Sequence, residues 1–543
     1  MRDPRVREYL DPVSVLWSTE QADNVEGLLQ GHGGQASFHA DSPCVLRSGG
    51  SVLLDYGKEL NGGVQITCLY MEGDQKNAKL RVRFGESAME SMSEVGGAGG
   101  ATNDHAVRDQ LVDVSFLGTT EVGMTGFRFV RLDLVDNDAV IQLKSVRAVF
   151  VYRDLEYKGS FASSDPLLDQ IWMTGAYTVH LNMQEYLFDG VKRDRLVWIG
   201  DLHPETSTVQ AVFGEQEIVP ASLDFIRDDT ALPGWMNTFP SYSLWWIIIQ
   251  YDWYRQHGNL AYLQEQTTYL RGLLAQIIAE IREDGTNDAP NPFLDWPSHD
   301  NPAGVRAGLH ALFYLALDRG AKLCEILELT PEVAACEAAL AKLRRHRPDP
   351  AGSKQAAALL ALAGLMDAAE ANRDVIAVGG SQGVSTFYGY YMLEARADAG
   401  DIQGALDCIR EYWGAMLALG ATTFWEDFDL AWMQDAARID ELTPEGKIDV
   451  HSAYGRFCYI GYRHSLCHGW ASGPTAWLSR HVLGVEVIET GCAVVRIRPQ
   501  LGDLAWVEGT YPTPHGILRV RHTKSGDGEI VSEVSAPPGV RVI

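Results

Sequence analysis

Ser163-Ser164-Asp165-Pro166-Leu167-Leu168-Asp169-Gln170-Ile171-Trp172-Met173-Thr174-Gly175-Ala176-Tyr177-Thr178-Val179 is the stretch where this chain changes period. Ser-Ser-Asp is a helix-start signal, Pro166 stands at a tolerated first-turn position, and Leu168, Ile171, Trp172, Gly175 and Val179 follow at helical spacing. Upstream, from about residue 34 to 155, the apolar runs are short and several alternate with period two: Val52 to Tyr56, Gly63 to Cys68, Leu80 to Phe84, Phe127 to Leu132 and Ala148 to Tyr152. Separated by Gly and Asp clusters, they predict an antiparallel β-sandwich. Downstream, helical stretches recur to about residue 484. They are Leu244 to His257 stopped by Gly258, Leu260 to Asp284 stopped by Gly285, Gly304 to Leu329, Pro331 to Arg345, Lys354 to Ala371, Phe387 to Ala399 stopped by Gly400, and Ile402 to Leu419 stopped by Gly420. Helices joined by short Gly-marked turns make αα-hairpins, and about a dozen of them pack most economically as a closed ring of six hairpins. A helical solenoid is the alternative, and the absence of a fixed-period repeat counts against it.

The last sixty or so residues return to β signals, in Ala493 to Ile497, Gly516 to Arg521 and Glu529 to Val531. So small a piece is expected to pack on the helical domain. The fold class is therefore multidomain α+β, with a β-sandwich over 1–160, a helical six-hairpin domain over 161–484 and a small β-sheet domain over 485–543.

A length of 543 residues exceeds one ordinary core, and 46% apolar with 22% charged residues describes a soluble globular chain. A formal charge of −27 argues against nucleic acid and anionic membrane, both of which need a basic footprint. A neutral or weakly cationic ligand fits better. No apolar core follows the basic residues of Met1-Arg2-Asp3-Pro4-Arg5-Val6-Arg7, so no secretory signal is readable. The eight cysteines carry no Cys-x-x-Cys pair, which fits reduced thiols in the cytoplasm and no zinc. No metal cluster or nucleotide fingerprint is readable, so no cofactor is expected. Gly96-Gly97-Ala98-Gly99-Gly100 lacks the Lys-Ser/Thr ending of a phosphate loop. Asn103-Asp104-His105 behind it reads as an ordinary turn or as a ligand contact.

Site chemistry concentrates between residues 189 and 205, Asp-Gly-Val-Lys-Arg-Asp-Arg-Leu-Val-Trp-Ile-Gly-Asp-Leu-His-Pro-Glu. Asp194, Trp198, Asp201 and Glu205 fall at i, i+4, i+7 and i+11, so a helix here sets three carboxylates and an indole on one stripe, with Pro204 expected to interrupt it before Glu205. Carboxylates are rarely buried without partners, and the nearby cations are Lys192, Arg193 and Arg195. Such a surface suits a sugar: carboxylates accept from hydroxyls, an Arg keeps them charged and an aromatic face meets the ring. A solvated, salt-bridged helix is the alternative. Glycosidic hydrolysis usually needs two carboxyls flanking the bond, and the second candidate is Glu426 beside Trp425, in Ala421-Thr422-Thr423-Phe424-Trp425-Glu426-Asp427. His468, in Ser465-Leu466-Cys467-His468, opens another helical run. Asp295 and Trp296, next to prolines in a loop, are further ligand candidates, whereas Trp245 and Trp253 in a long apolar helix read as core.

Together these segments resemble glycoside hydrolase family 78, the α-L-rhamnosidases, in compact form. Asp189, Arg193, Asp194, Trp198, Gly200 and Asp201 match a block of the type Asp-x-x-x-Arg-Asp/Glu followed by Trp-x-Gly-Asp. Thr422 to Glu426 match Thr-Thr-x-Trp-Glu, and Ser465 to His468 match Ser-x-x-His. Arg496 to Pro499 and Glu508 to Gly516 carry the likeness to the carboxyl-terminal strands, so it runs from about residue 45 to the end. The resemblance implies a six-hairpin (α/α) barrel flanked by β domains, and hydrolysis with inversion. It implies Asp194 as general acid and Glu426 as general base, with Asp189, Arg193, Trp198, Asp201 and His468 holding rhamnose. Many members carry a Glu acid in Arg-Asp-Glu-Arg, whereas this chain reads Arg193-Asp194-Arg195, so the proton donor is Asp194 or, if the alignment slips, Glu205. The missing Glu also keeps open a carbohydrate-binding protein with weakened catalysis, beside another glycosidase or lyase on the same helical ring. Expected partners are small rhamnose-containing glycosides, no nucleic acid and no membrane, with a homodimer left open.

Overall fold

Two compact units make up the chain in a computed structural model that describes residues 3–38, 40–72 and 76–543. Met1 and Arg2 of the amino-terminal run lie outside the described residues. The first unit comprises Met1–Asp154, His180–Leu196 and Ala415–His468, and is built on a nine-stranded antiparallel sheet. Its longest strand, Ser51–Met71, pairs along its length with Gly118–Leu134 and over its second half with Val140–Arg153. The expected runs 52–56 and 63–68 are thus one strand. Its register against Gly118–Leu134 shifts between Asp55 and Leu60 and again between Gly62 and Val64, and such bulges bend a strand without ending it. Asn77–Gly85, which contains the expected run 80–84, pairs with the far end of Gly118–Leu134. The short helix Ala88–Met92 follows, opened by Ser87, whose hydroxyl accepts from the Glu90 amide at 3.1 Å.

The second unit comprises Leu155–Val179, Val197–Gly414 and Gly469–Ile543. Six of its helices form a cycle: Leu202–Val212 packs on Pro240–His257, then in turn come Pro302–Ile326, Lys354–Leu362, Gly389–Asp398 and Gly473–Trp477, and the last packs back on the first. A solenoid leaves its ends apart, so this closure decides for the ring. Thr330–Leu343 packs against Pro302–Ile326 and against Thr267–Ala279, as hairpin partners do.

Local chemistry sets the helix ends. Pro240 and Pro302 stand in the first turns, and the Asn301 and Ser353 side chains accept from the Gly304 and Ala356 amides at 3.0 and 3.2 Å. Gly258, at φ 71°, ends Pro240–His257 in the left-handed conformation that glycine adopts without a Cβ penalty. Leu244, Trp245, Trp246, Ile247, Ile249 and Trp253 of that helix are all buried, because a ring helix meets neighbours on every side. Trp245 and Trp253 are core, as expected.

The carboxyl-terminal strands Trp506–Thr513, Gly516–Lys524 and Ile530–Ser535 form a four-stranded sheet whose remaining strand is Ser160–Ser163. Among the described residues all eight cysteines are free, and no helix is long and apolar enough to cross a membrane.

Candidate active site

Residues 189–201 are not helical; the helix begins at Leu202 with Asp201 at its amino-terminal cap position, and Pro204 sits inside its first turn. Both expectations about that helix are corrected: Pro204 is tolerated in a first turn, where its amide would have no intrahelical acceptor, and the loop before it is set by one side chain. Asp189 accepts from the Asp194 amide at 2.8 Å and from the Leu196 amide at 3.0 Å, so side-chain bonds take the place of a helical ladder and curl residues 189–196 into a loop. Gly190 permits the curl: a Cβ there would lie 2.4 Å from the Arg193 carbonyl oxygen.

Arg193 is the centre of what the loop presents. Its Nη1 donates to Asp194 Oδ1 at 2.7 Å, and its Nη2 donates to both Glu426 oxygens at 2.6 and 2.7 Å. Its Nε donates to the Arg463 carbonyl at 2.6 Å. One planar guanidinium therefore spans two carboxyls from segments more than 230 residues apart in the chain. It holds their nearest oxygens within about 8 Å of each other.

Glu426 is buried and fixed from the other side by the Ser465 amide, which donates to its Oε2 at 3.0 Å. The segments 423–426 and 465–468 run side by side. The Glu426 amide donates to the Ser465 carbonyl at 3.0 Å, the His468 amide to the Phe424 carbonyl at 2.9 Å, and the Thr423 hydroxyl to the Leu466 carbonyl at 2.7 Å. His468 is thereby brought to Glu426, its Nδ1 standing 3.9 Å from Oε1.

Behind Ser465 lies a buried ionic group. Lys192 donates to the carbonyls of Tyr462 and His464 at 2.9 and 2.6 Å, and stands 3.0 Å from Glu86 and 3.3 Å from Glu90. Glu86 accepts from the Leu466 amide and, at 3.3 Å, from the Ser465 hydroxyl. Glu86, Glu90 and His451 are close enough to hold a cation together, and Lys192 supplies the positive charge there itself. Both His451 nitrogens are engaged, one with the Ser87 hydroxyl and one with the His464 carbonyl. The chain from Glu86 and Lys192 through residues 462–466 thus sets the amide that aims Glu426.

Burial, and next the Asp194 carboxylate, push Asp189 up to about 7. Burial also pushes Glu426 up, while Arg193 and the Ser465 amide pull it down. Burial opposes the Arg193 charge, but Glu426 and Asp194 outweigh it and hold the guanidinium above its usual range. His468 is held well below its usual range by burial and by Arg193, so it is neutral at pH 7. Burial lifts Glu86 to about 7 against the pull of Lys192.

Of the expected site residues, Asp189, Arg193, Asp194, Glu426 and His468 come together in the first unit. Trp425 lies there too, but it is 1% exposed and edge-on to Phe428 at 5.7 Å, so its ring is packed as core and offers no stacking face. The others belong to the second unit. Asp201 accepts from the Tyr242 hydroxyl at 2.8 Å, and half-buried Trp198 stands edge-on to the same ring at 5.9 Å. Tyr242 meets Phe293, which meets half-buried Trp296 at 5.2 Å, so Trp198, Asp201 and Trp296 share one aromatic array. Asp295 is buried, accepting from the Ser298 amide and the Ser385 hydroxyl, and burial raises its pKa. Glu205 is wholly buried on its helix.

Four contributors were not singled out as site residues from the sequence: Glu86, Glu90, Lys192 and His105. Ser87-Ala88-Met89-Glu90 is a readable capping-box pattern, but nothing local says that its carboxylates meet a lysine 102 residues on. His105 Nε2 lies 3.2 Å from Asp194 Oδ1. In the turn reading of 103–105, Asn103 plays the expected part, its side chain accepting from the Arg108 and Asp109 amides, while His105 reaches Asp194.

Residues 156–346 match the bacterial alpha-L-rhamnosidase 6 hairpin glycosidase domain, and residues 484–543 match the bacterial alpha-L-rhamnosidase C-terminal domain. No curated protein matches the chain. Among solved structures, a family 78 rhamnosidase of a Bacillus species is similar with a TM-score of 0.76 and 22% identity, over 95% of this chain and 55% of that one. A Klebsiella oxytoca rhamnosidase with rhamnose bound is similar with a TM-score of 0.69 and 20% identity, over 88% of this chain and 96% of that one. A Streptomyces avermitilis α-L-rhamnosidase complexed with L-rhamnose gives 0.71 and 16%, over 92% and 50%. At these identities the likeness is one of fold. The chain spans about half the length of the Bacillus and Streptomyces proteins.

Proposed function

We propose, from the premise that this chain carries the six-hairpin and C-terminal domains of the bacterial α-L-rhamnosidases, that it hydrolyses terminal α-L-rhamnosides. The observation that carries the reading is the single guanidinium of Arg193 holding Asp194 and Glu426 side by side. Asp194, whose side chain is 16% exposed, is the proton donor to the leaving oxygen; Glu205, with no exposed surface, is not. Glu426 is the base that takes a proton from water as the water's oxygen bonds to the anomeric carbon. Inversion, in which the water stands between carboxyls about 6.5–9.5 Å apart, is proposed from the likeness to the family. Asp189, Arg193 and His468 hold the sugar. The starts of the matches over 156–346 and 484–543 support boundaries near 160 and 485 for the proposed domains 1–160, 161–484 and 485–543. The rhamnose named in two of the similar structures supports small rhamnosides as partners.

Two measurements test this. With a chromogenic α-L-rhamnoside, Glu426→Gln lowers kcat by about 10²–10⁴-fold and leaves direct rhamnose binding within a few-fold. Proton NMR of the first-formed product shows β-L-rhamnose from the α-linked substrate. Full turnover in the variant disposes of the base, and an α product disposes of inversion.

A further inference from the structure

An inverting cycle leaves its acid without a proton and its base with one, so each turnover needs a proton returned to Asp194. The loop after the glycine run is placed to do this. Asn103 shapes it, accepting from the Arg108 and Asp109 amides at 3.1 Å each and donating to the Asp109 carbonyl at 3.0 Å. Asp104 anchors it to the Arg463 guanidinium at 2.9 Å, and the Arg463 carbonyl in turn accepts from Arg193. Between those anchors His105 holds a left-handed backbone, φ 63°, which a non-glycine residue seldom adopts without a reason in its surroundings. Its Nε2 stands 3.2 Å from Asp194 Oδ1 and 3.9 Å from Asp104 Oδ2, and its ring is 27% exposed against 16% for the Asp194 side chain. The imidazole is therefore the more solvent-facing member of a close pair, 3.2 Å apart, whose other member is Asp194.

We propose that His105 is the positioning and proton-return residue for Asp194. The proposal rests on the rhamnosidase reading above. In the chemical step Asp194 gives its proton to the leaving oxygen, the glycosidic bond breaks, and Glu426 takes the proton of the attacking water. Nδ1 of His105 then takes a proton from solvent while Nε2–H passes its own to Asp194 Oδ1, and solvent exchange restores the first tautomer. Glu426 releases its proton to water, so one water is consumed and the proton count closes. The charged groups around the pair are Asp104 on the histidine's own loop, Arg193 beside Asp194, Glu426 across that guanidinium, and Arg463 beneath Asp104.

The test compares His105→Ala and His105→Gln with the wild-type chain on a chromogenic α-L-rhamnoside between pH 5 and 8, with and without imidazole. Both variants lose about 10–100-fold in kcat with KM within about twofold, and the loss deepens as pH rises. Added imidazole restores His105→Ala in a saturating manner and changes neither wild type nor His105→Gln, whose amide keeps a donor but carries no proton. Rescue is read within one folded variant, so a change in stability cannot imitate it. Wild-type kcat in His105→Gln, or no rescue of His105→Ala, overturns the proton return. A wild-type chain inert on the glycoside instead sinks the rhamnosidase reading, and this proposal with it.

Discussion

Asp189 shows how one side chain can both shape a site and set its charge. Its oxygens accept two amides of the loop it closes, and burial with a carboxylate neighbour pushes it up to about 7. In the unfolded chain an aspartate titrates near 4. Between about pH 4 and 7 the folded state therefore holds a proton the unfolded state has released, and the stability Asp189 contributes is present in acid and lost as pH rises through 7. Urea unfolding of wild type and Asp189→Asn at pH 5 and pH 8 measures this: the wild type loses ground to the variant at the higher pH. An equal gap at both values refutes the assignment. Glu426 differs because its burial is answered by a full positive charge on Arg193, which keeps it available as a base.

Among elements, the helix Pro302–Ile326 illustrates how far local signals reach. Asn301 caps it by accepting from the Gly304 amide, and Asn301→Ala is expected to cost about 1 kcal/mol, read as a lower urea midpoint at unchanged slope. An unchanged midpoint means the cap contributes nothing. Such ends were legible because Pro, Asn and Gly act on the residues next to them. The loop 189–201 was not, although its spacing is helical, because Asp189 competes for the backbone through its side chain and the period carries no record of that. The strand Ser51–Met71 misled in the opposite sense: the glycines at 57 and 62 read as a break between two runs, but they lie at register shifts within one strand. His105 stayed ambiguous because a turn residue and a ligand contact look alike until the loop's partner is known.

In the whole molecule, ring closure is the property no single helix possesses. Gly473 sits where the last ring helix meets the fifth, and a Cβ there would stand 2.6 Å from Tyr390 Cβ. Gly473→Val is expected to destabilise the fold by about 1–3 kcal/mol through overpacking, seen as a lower thermal midpoint, with Asn301→Ala as the surface-end comparison. No change in the midpoint shows that the contact can relax. The sequence by itself determined the classes of element, the change of period at residue 163, the approximate helix ends and the three segments that supply the candidate site residues, because these depend on residue type and near-neighbour spacing. Only the tertiary structure decided that the helices close, that Trp425 is core, and that Arg193 joins Asp194 to Glu426 while Lys192 turns away to Glu86 and Glu90. Those outcomes follow from which buried charge finds which partner across hundreds of residues, and burial makes the choice stringent because an unpaired charge there costs several kcal/mol.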